Sequence, residues 1–86
     1  MLPARLKEAR RRKNISQEKL GIMAGIDEAT ASARMNQYER GIHTPDFDLV
    51  RRLALILDVP TCYFYAEEDE LADIVLDWYR QQQRTS

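Results

Sequence analysis

Apolar residues return along this chain at intervals of three and four positions, with polar residues between them. That spacing predicts helices from end to end, with no stretch alternating as a strand does. Leu2, Leu6 and Ala9 mark the inner stripe of a first helix. Pro3 suits its first turn, where a missing N–H costs little, and the helix is expected to end near Asn14. Ser16 then offers a capping hydroxyl, but Lys19 stands where a capping box would place an acid. Leu20, Met23 and Ala24 are expected on the inner face of helix two. Gly25 is placed to end that helix in the left-handed region, where a side chain would clash. Ile26 follows as an apolar plug, and Asp27 can cap the next helix.

From Glu28 to Arg40 there is neither Gly nor Pro, and Ala31, Met35 and Tyr38 recur at helical spacing. Gly41 stops this third helix, and Thr44-Pro45-Asp46 opens a fourth. Leu49, Val50, Leu53, Ala54, Ile56 and Leu57 make that fourth helix the most apolar, which predicts a central position. Val59-Pro60 breaks it, and Thr61 is expected to cap a short fifth helix through Tyr65. The acidic run at residues 67–70 leads a sixth, where negative charge suits the positive end of the helix dipole. The fold class is therefore all-α, with five helices over residues 1–66 and a C-terminal amphipathic helix over residues 67–86 of the same compact unit. That last helix has two apolar sides, Leu71, Ile74, Val75 and Trp78 on one and Ala72, Leu76 and Tyr79 on the other. One side suffices for packing on its own domain, so the first stripe is expected at a homodimer interface, with added core as the alternative.

Composition narrows the picture. With 86 residues, 44% of them hydrophobic, and only 3 Gly and 3 Pro, the chain suits one small helical domain rather than a disordered tail. No apolar run approaches the roughly 20 residues that span a bilayer. The opening residues lack the apolar core of a secretory signal, so a cytoplasmic protein is expected. The single cysteine excludes an internal disulfide and a cluster of zinc-binding thiolates. Beside Tyr63 and Phe64, Cys62 is expected to be a buried structural thiol. The net charge of −1 conceals a division: residues 1–52 carry 11 Lys/Arg against 7 Asp/Glu, and residues 53–86 carry 2 Arg against 7 Asp/Glu. A basic working face and an acidic body or partner-facing end fit that polarity, as does a solvated surface with chance clustering.

Helices two and three have what a bihelical DNA reader demands. Gly21 allows a close crossing, Gly25 a tight turn, and Ile26 plugs the angle between them. The outer face of helix three offers Thr30, Ser32, Arg34, Asn36 and Gln37 as hydrogen-bonding groups for base edges. An ordinary helical hairpin with a polar face would share this periodicity. The balance shifts with the linked motifs Leu-Lys-Glu-Ala-Arg at 6–10, Ser-Gln-Glu-Lys-Leu at 16–20, Gly25-Ile26, Tyr-Glu-Arg-Gly at 38–41, Thr-Pro at 44–45 and Leu-Ala-Leu-Ile-Leu-Asp-Val-Pro at 53–60. Over about residues 4–65 the chain resembles the Cro/phage-repressor (XRE-like) helix-turn-helix family.

The resemblance implies a five-helix domain that binds operator DNA, usually as a two-fold dimer, and a transcriptional regulator associated with the nucleoid when bound. It implies base contacts from Ser32, Ala33, Arg34 and Gln37, with Thr30 beside them. Gln37 could bond adenine, and Arg34 guanine. It places Gln17, Asn36, Arg40, His43 and Thr44 near phosphates, with Gln17 alternatively bracing the reading helix, and pairs Arg10 with Glu39 as a structural tie. The alternative function is a protein-interaction module, such as an antitoxin-like partner protein using its acidic C-terminal end. No cofactor, metal site or catalytic set is implied, and an enzyme is not expected. Two departures stand out. Gly21 replaces a usual alanine, and the segment between the two anchoring motifs is four residues too long. The surplus falls around Asp27–Thr30, where it either lengthens the turn or adds a turn to the reading helix.

Overall fold

Four of the helices stop in the same way, and those stops set the path of the chain. The computed structural model describes residues 1–84, comprising α1 (Pro3–Arg12), α2 (Gln17–Met23), α3 (Glu28–Glu39), α4 (Phe47–Leu57), a short 3-10 helix (Thr61–Tyr65) and α5 (Asp69–Arg84). Residues 85–86 of the expected C-terminal segment lie outside the described residues. No strand occurs among the described residues. At the ends of α1 to α4, Asn14, Gly25, Gly41 and Asp58 each adopt a positive φ. Each is followed by an aliphatic residue whose N–H reaches back to the last turn: Ile15 to Arg10, Ile26 to Gly21, Ile42 to Gln37 and Val59 to Ala54. This is the Schellman arrangement, which satisfies carbonyls that a helix end would leave unpaired. Gly25, at φ 94°, adopts its conformation without a Cβ penalty. Asn14 and Asp58 are the residue types that tolerate it next best.

The helix starts are capped less uniformly. Ser16 Oγ accepts from the Lys19 N–H at 3.0 Å, and Asp46 Oδ1 from the Leu49 N–H at 2.8 Å. Asp27 occupies the N-cap position of α3, but its carboxylate makes no capping bond; its backbone carbonyl accepts from Thr30 instead. Pro60, not Thr61, precedes the 3-10 helix, and Thr61 lies within it. In α2 the buried residues are Leu20 and Gly21, with Ala24 just beyond, while Met23 is 53% exposed rather than on the inner face. Cys62 is also exposed, contrary to expectation. With three residues per turn, Cys62 and Tyr65 share one side of the 3-10 helix, and Tyr63 and Phe64 take the inward positions.

The core runs through every helix. Leu6, Leu20, Met35, Val50, Leu53, Tyr63 and Phe64 are its largest fully buried side chains, and Ala72 and Leu76 bring α5 onto it. Two arginines, one buried and one half-buried, stitch this core to its surroundings. Arg5, 8% exposed, donates from Nε to the Ala66 carbonyl (2.9 Å) and from Nη2 to the Glu67 carbonyl (3.3 Å). Its Nη2 also pairs with Asp69 at 3.0 Å, fastening the start of α5 to α1. Glu8 gathers Arg5, Arg12 and the Tyr63 hydroxyl, the last at 2.7 Å. The guanidinium carbons of Arg5 and Arg12 lie 5.8 and 5.9 Å from the Tyr63 ring centroid. Burial, with the bond to Glu8, pushes the Tyr63 phenol up to about 12 from an ordinary 10.0.

The second arginine, the half-buried Arg10, makes a bidentate pair with Glu39, Nε to Oε2 at 2.6 Å and Nη2 to Oε1 at 3.0 Å. Its remaining nitrogen donates to the Ile15 carbonyl at 2.9 Å. The hydrogen bonds to Glu39 raise the Arg10 pKa, outweighing the burial that lowers it. The Glu39 side chain is only 2% exposed, so loss of Arg10 would strand a nearly dry carboxylate.

Two outcomes follow. Arg10→Ala should cost about 3 kcal/mol, against less than about 0.5 kcal/mol for the exposed neighbour Arg11→Ala. Thermal melts of the two variants compare them directly, and equal midpoints would refute the role given to this pair. Because the folded state favours the neutral Tyr63 phenol, its contribution is fully present below pH 10 and is lost as pH rises toward 12. Tyr63→Phe should therefore flatten the decline in melting temperature across that window relative to the parent.

Candidate nucleic-acid interface

The third helix owes its position to contacts at both ends. Near its start, Ala31 is fully buried against Gly21 of α2. At its end, Glu39 accepts from Arg10 of α1 and also from Gln17 Nε2 of α2 at 3.2 Å. Gln17 thus stands as a brace, one of its two anticipated positions. The intervening turn is short, with Ala24 capping α2 and Asp27 preceding α3. The four surplus residues therefore do not lengthen the turn. Glu28, Ala29 and Thr30 are helical and, with Asp27 as the N-cap, form the start of α3, which runs for 12 residues, about 18 Å.

At about 100° per residue, Ala33, Asn36, Gln37 and Arg40 fall opposite the buried stripe of Ala31, Met35 and Tyr38. Ala33 and Arg40 are exposed, while Asn36 and Gln37 are half-buried. Thr30 and Ser32 lie exposed on the flanks of this face, and the Thr30 hydroxyl donates to the Asp27 carbonyl at 3.3 Å. His43 and Thr44 are exposed in the connection after α3.

Arg34 lies on the same flank as Thr30 but closer to the core stripe. Its Nη2 donates to the Tyr38 hydroxyl at 2.6 Å, and its guanidinium carbon sits 5.7 Å from that ring's centroid. The sequence spacing of four residues could have suggested this i, i+4 contact, but a buried tyrosine was expected to serve packing alone. A base-directed Arg34 would have to exchange the phenol oxygen for a base edge. Arg52 was also unanticipated, and its Nε donates to the Ala24 carbonyl at 2.9 Å, tying α4 to the end of α2.

The C-terminal helix divides as its two apolar sides suggested, with one adjustment. Ala72 and Leu76 are buried, and Val75 is half-buried against the core rather than free with its stripe. Leu71, Ile74 and Trp78 are exposed, at 44%, 63% and 57%. Leu55 of α4 is 76% exposed and borders, with Tyr79, a shallow hollow of about 230 Å³ between α4 and α5. Leu55 faces away from its helix's inner stripe, so only its size and apolarity pointed to a surface role. Among the described residues no helix is long and apolar enough to cross a membrane.

A helix braced at both ends, with small and hydrogen-bonding residues on its free face, is the geometry that major-groove reading requires. Comparisons with known proteins agree. Residues 6–64 match the helix-turn-helix family. The solved structure described as "Crystal structure of transcriptional regulator BswR" is 44% identical and superposes with a TM-score of 0.86, the match covering 99% of this chain and 91% of that one. A search of curated proteins found no match. Its caps, its braced third helix and its matched span together place this chain in the helix-turn-helix family, of the Cro/repressor type its motifs resemble.

Proposed function

We propose that this chain is a sequence-specific DNA-binding transcriptional regulator, acting in the cytoplasm as a homodimer with two copies of α3 in successive major grooves. The observation carrying this reading is the two-ended bracing of α3 beneath an outward face of exposed Ala33 and Arg40 and half-buried Asn36 and Gln37. Likeness over nearly the whole chain to a structure titled as a transcriptional regulator supports it.

In this reading Gln37 meets adenine through its amide, and Arg34 leaves Tyr38 to meet guanine. Ala33, Ser32 and Thr30, all small, let the backbone of α3 approach the bases. Asn36, Arg40, His43 and Thr44 hold the phosphates on either side, fixing register without reading sequence. Gln17 acts mainly through Glu39. The overall charge of −1 is compatible with DNA because the basic excess belongs to residues 1–52.

A second copy of the chain is the proposed occupant of the face formed by Leu71, Ile74 and Trp78. Each is a large apolar side chain left in water beside the buried Ala72 and Leu76. A two-fold arrangement would give paired reading helices and an operator with two half-sites.

Selection of bound sites from random duplex DNA is the direct test, and it yields half-site spacing as well as sequence. Arg34→Ala combined with Gln37→Ala should weaken binding to the selected site by about 100-fold or more, since each bidentate base contact is worth about 1–3 kcal/mol. Binding to random duplex at low salt should fall less than about threefold. Failure to enrich any sequence, alongside stable capture of a protein through the acidic end, would replace this function with the interaction module. For the assembly, Trp78→Glu should halve the mass seen by sedimentation. A dimeric parent whose mass survives that substitution would remove α5 from the interface.

A further inference from the structure

The ring of Tyr38 belongs to the core, but its oxygen does something that packing does not need. Tyr38 lies in the buried stripe of α3 with Ala31 and Met35 and is 6% exposed. A phenylalanine would fill the same space. The hydroxyl accepts from Arg34 Nη2 at 2.6 Å, and the Arg34 guanidinium carbon stands 5.7 Å from the ring centroid. Among the described residues Arg34 pairs with no carboxylate. We propose that Tyr38 sets the affinity of the groove helix, its hydroxyl holding Arg34 in the free protein and competing with DNA for it.

Arg34 projects roughly 110° around α3 from the centre of the outward face. To set two nitrogens on one guanine edge, its guanidinium must leave the phenol and cross that flank. While it rests on Tyr38 the protein is not competent for that base, and apparent affinity falls with the fraction of molecules that have released it. A hydrogen bond partly open to water shifts such an equilibrium by about three- to tenfold. A carboxylate in the phenol's place would hold the guanidinium by charge as well and release it less readily. Phosphate binding, assigned above to Asn36, Arg40, His43 and Thr44, leaves Arg34 where it is. The contact therefore lowers selective binding and spares indiscriminate binding. Tyr38 is a positioning residue, acting on DNA only through Arg34, and this role rests on the reading of α3 as the groove helix.

The test takes the parent, Tyr38→Phe, Arg34→Ala and the double variant through equilibrium binding to the parent's selected site and through thermal melting. Tyr38→Phe should bind that site about three- to tenfold more tightly than the parent, with binding to random duplex at low salt within about twofold. Its melting temperature should fall by a few degrees, since the folded state loses the same contact. A merely structural tyrosine would weaken stability and binding together. In the Arg34→Ala background, removing the hydroxyl should leave binding unchanged. A folded Tyr38→Phe protein that binds the selected site no more tightly than the parent overturns the proposal, as does tightening that persists without Arg34. Should Tyr38→Phe fail to fold, NMR of the parent's Arg34 guanidinium decides. Hindered rotation of its terminal nitrogens in the free protein, altered when the selected duplex is added, carries the proposal, and free rotation in the unbound protein overturns it. A parent that enriches no sequence overturns the groove reading and this role with it, whereas an enriched site indifferent to Tyr38→Phe overturns the role of Tyr38 alone.

Discussion

The Glu39 carboxylate has almost no water to hydrogen-bond, and three helices are arranged to satisfy it. Arg10 reaches it from α1 and Gln17 from α2, while Glu39 itself closes α3. A buried ion pair of this kind adds little net stability over an apolar substitute, since both ions lose hydration. Its value is directional. Two parallel N–H bonds to one carboxylate fix a guanidinium in its plane, and the third nitrogen on the Ile15 carbonyl fixes the connection to α2 as well. The helix proposed to enter the groove is thus referenced to the core by a charged, geometrically strict contact, where apolar packing would allow sliding.

The chain path was legible because each stop carries its own sequence mark. Asn14-Ile15, Gly25-Ile26, Gly41-Ile42 and Asp58-Val59 all join a residue tolerant of left-handed backbone to an aliphatic one. The long helices declared their buried faces too, since α3 and α4 span enough turns for the period to show. Short elements did not. In the seven residues of α2, Leu20 and Gly21, with Ala24 just beyond, define a face, but Met23 falls roughly 110° from its centre. In the 3-10 helix the period drops to three, so Cys62 shares the exposed side of Tyr65 despite its apolar neighbours.

Side-chain bonds over long sequence separations were harder to foresee. The Arg10–Glu39 contact spans 29 residues and was expected only through resemblance to a family. Arg5 looks like any surface cation in the first helix, yet it is buried and bonded to carbonyls 61 and 62 residues away. No local pattern encodes that. The location of the surplus turn was readable, because both flanking motifs anchor it, whereas the choice between a longer turn and a longer helix is seen only in α3 itself, which starts at Glu28.

Arg5 and Arg10 sit five positions apart on α1, about 7.5 Å along its axis and on different sides of it. One grips the entry to α5, and the other grips the end of α3. If two copies join through α5, the distance between their paired α3 helices is transmitted through this short, straight rod. Half-site spacing would then be a property of α1, a helix that need touch neither the DNA nor the other subunit. The first helix would serve as the caliper of the assembly.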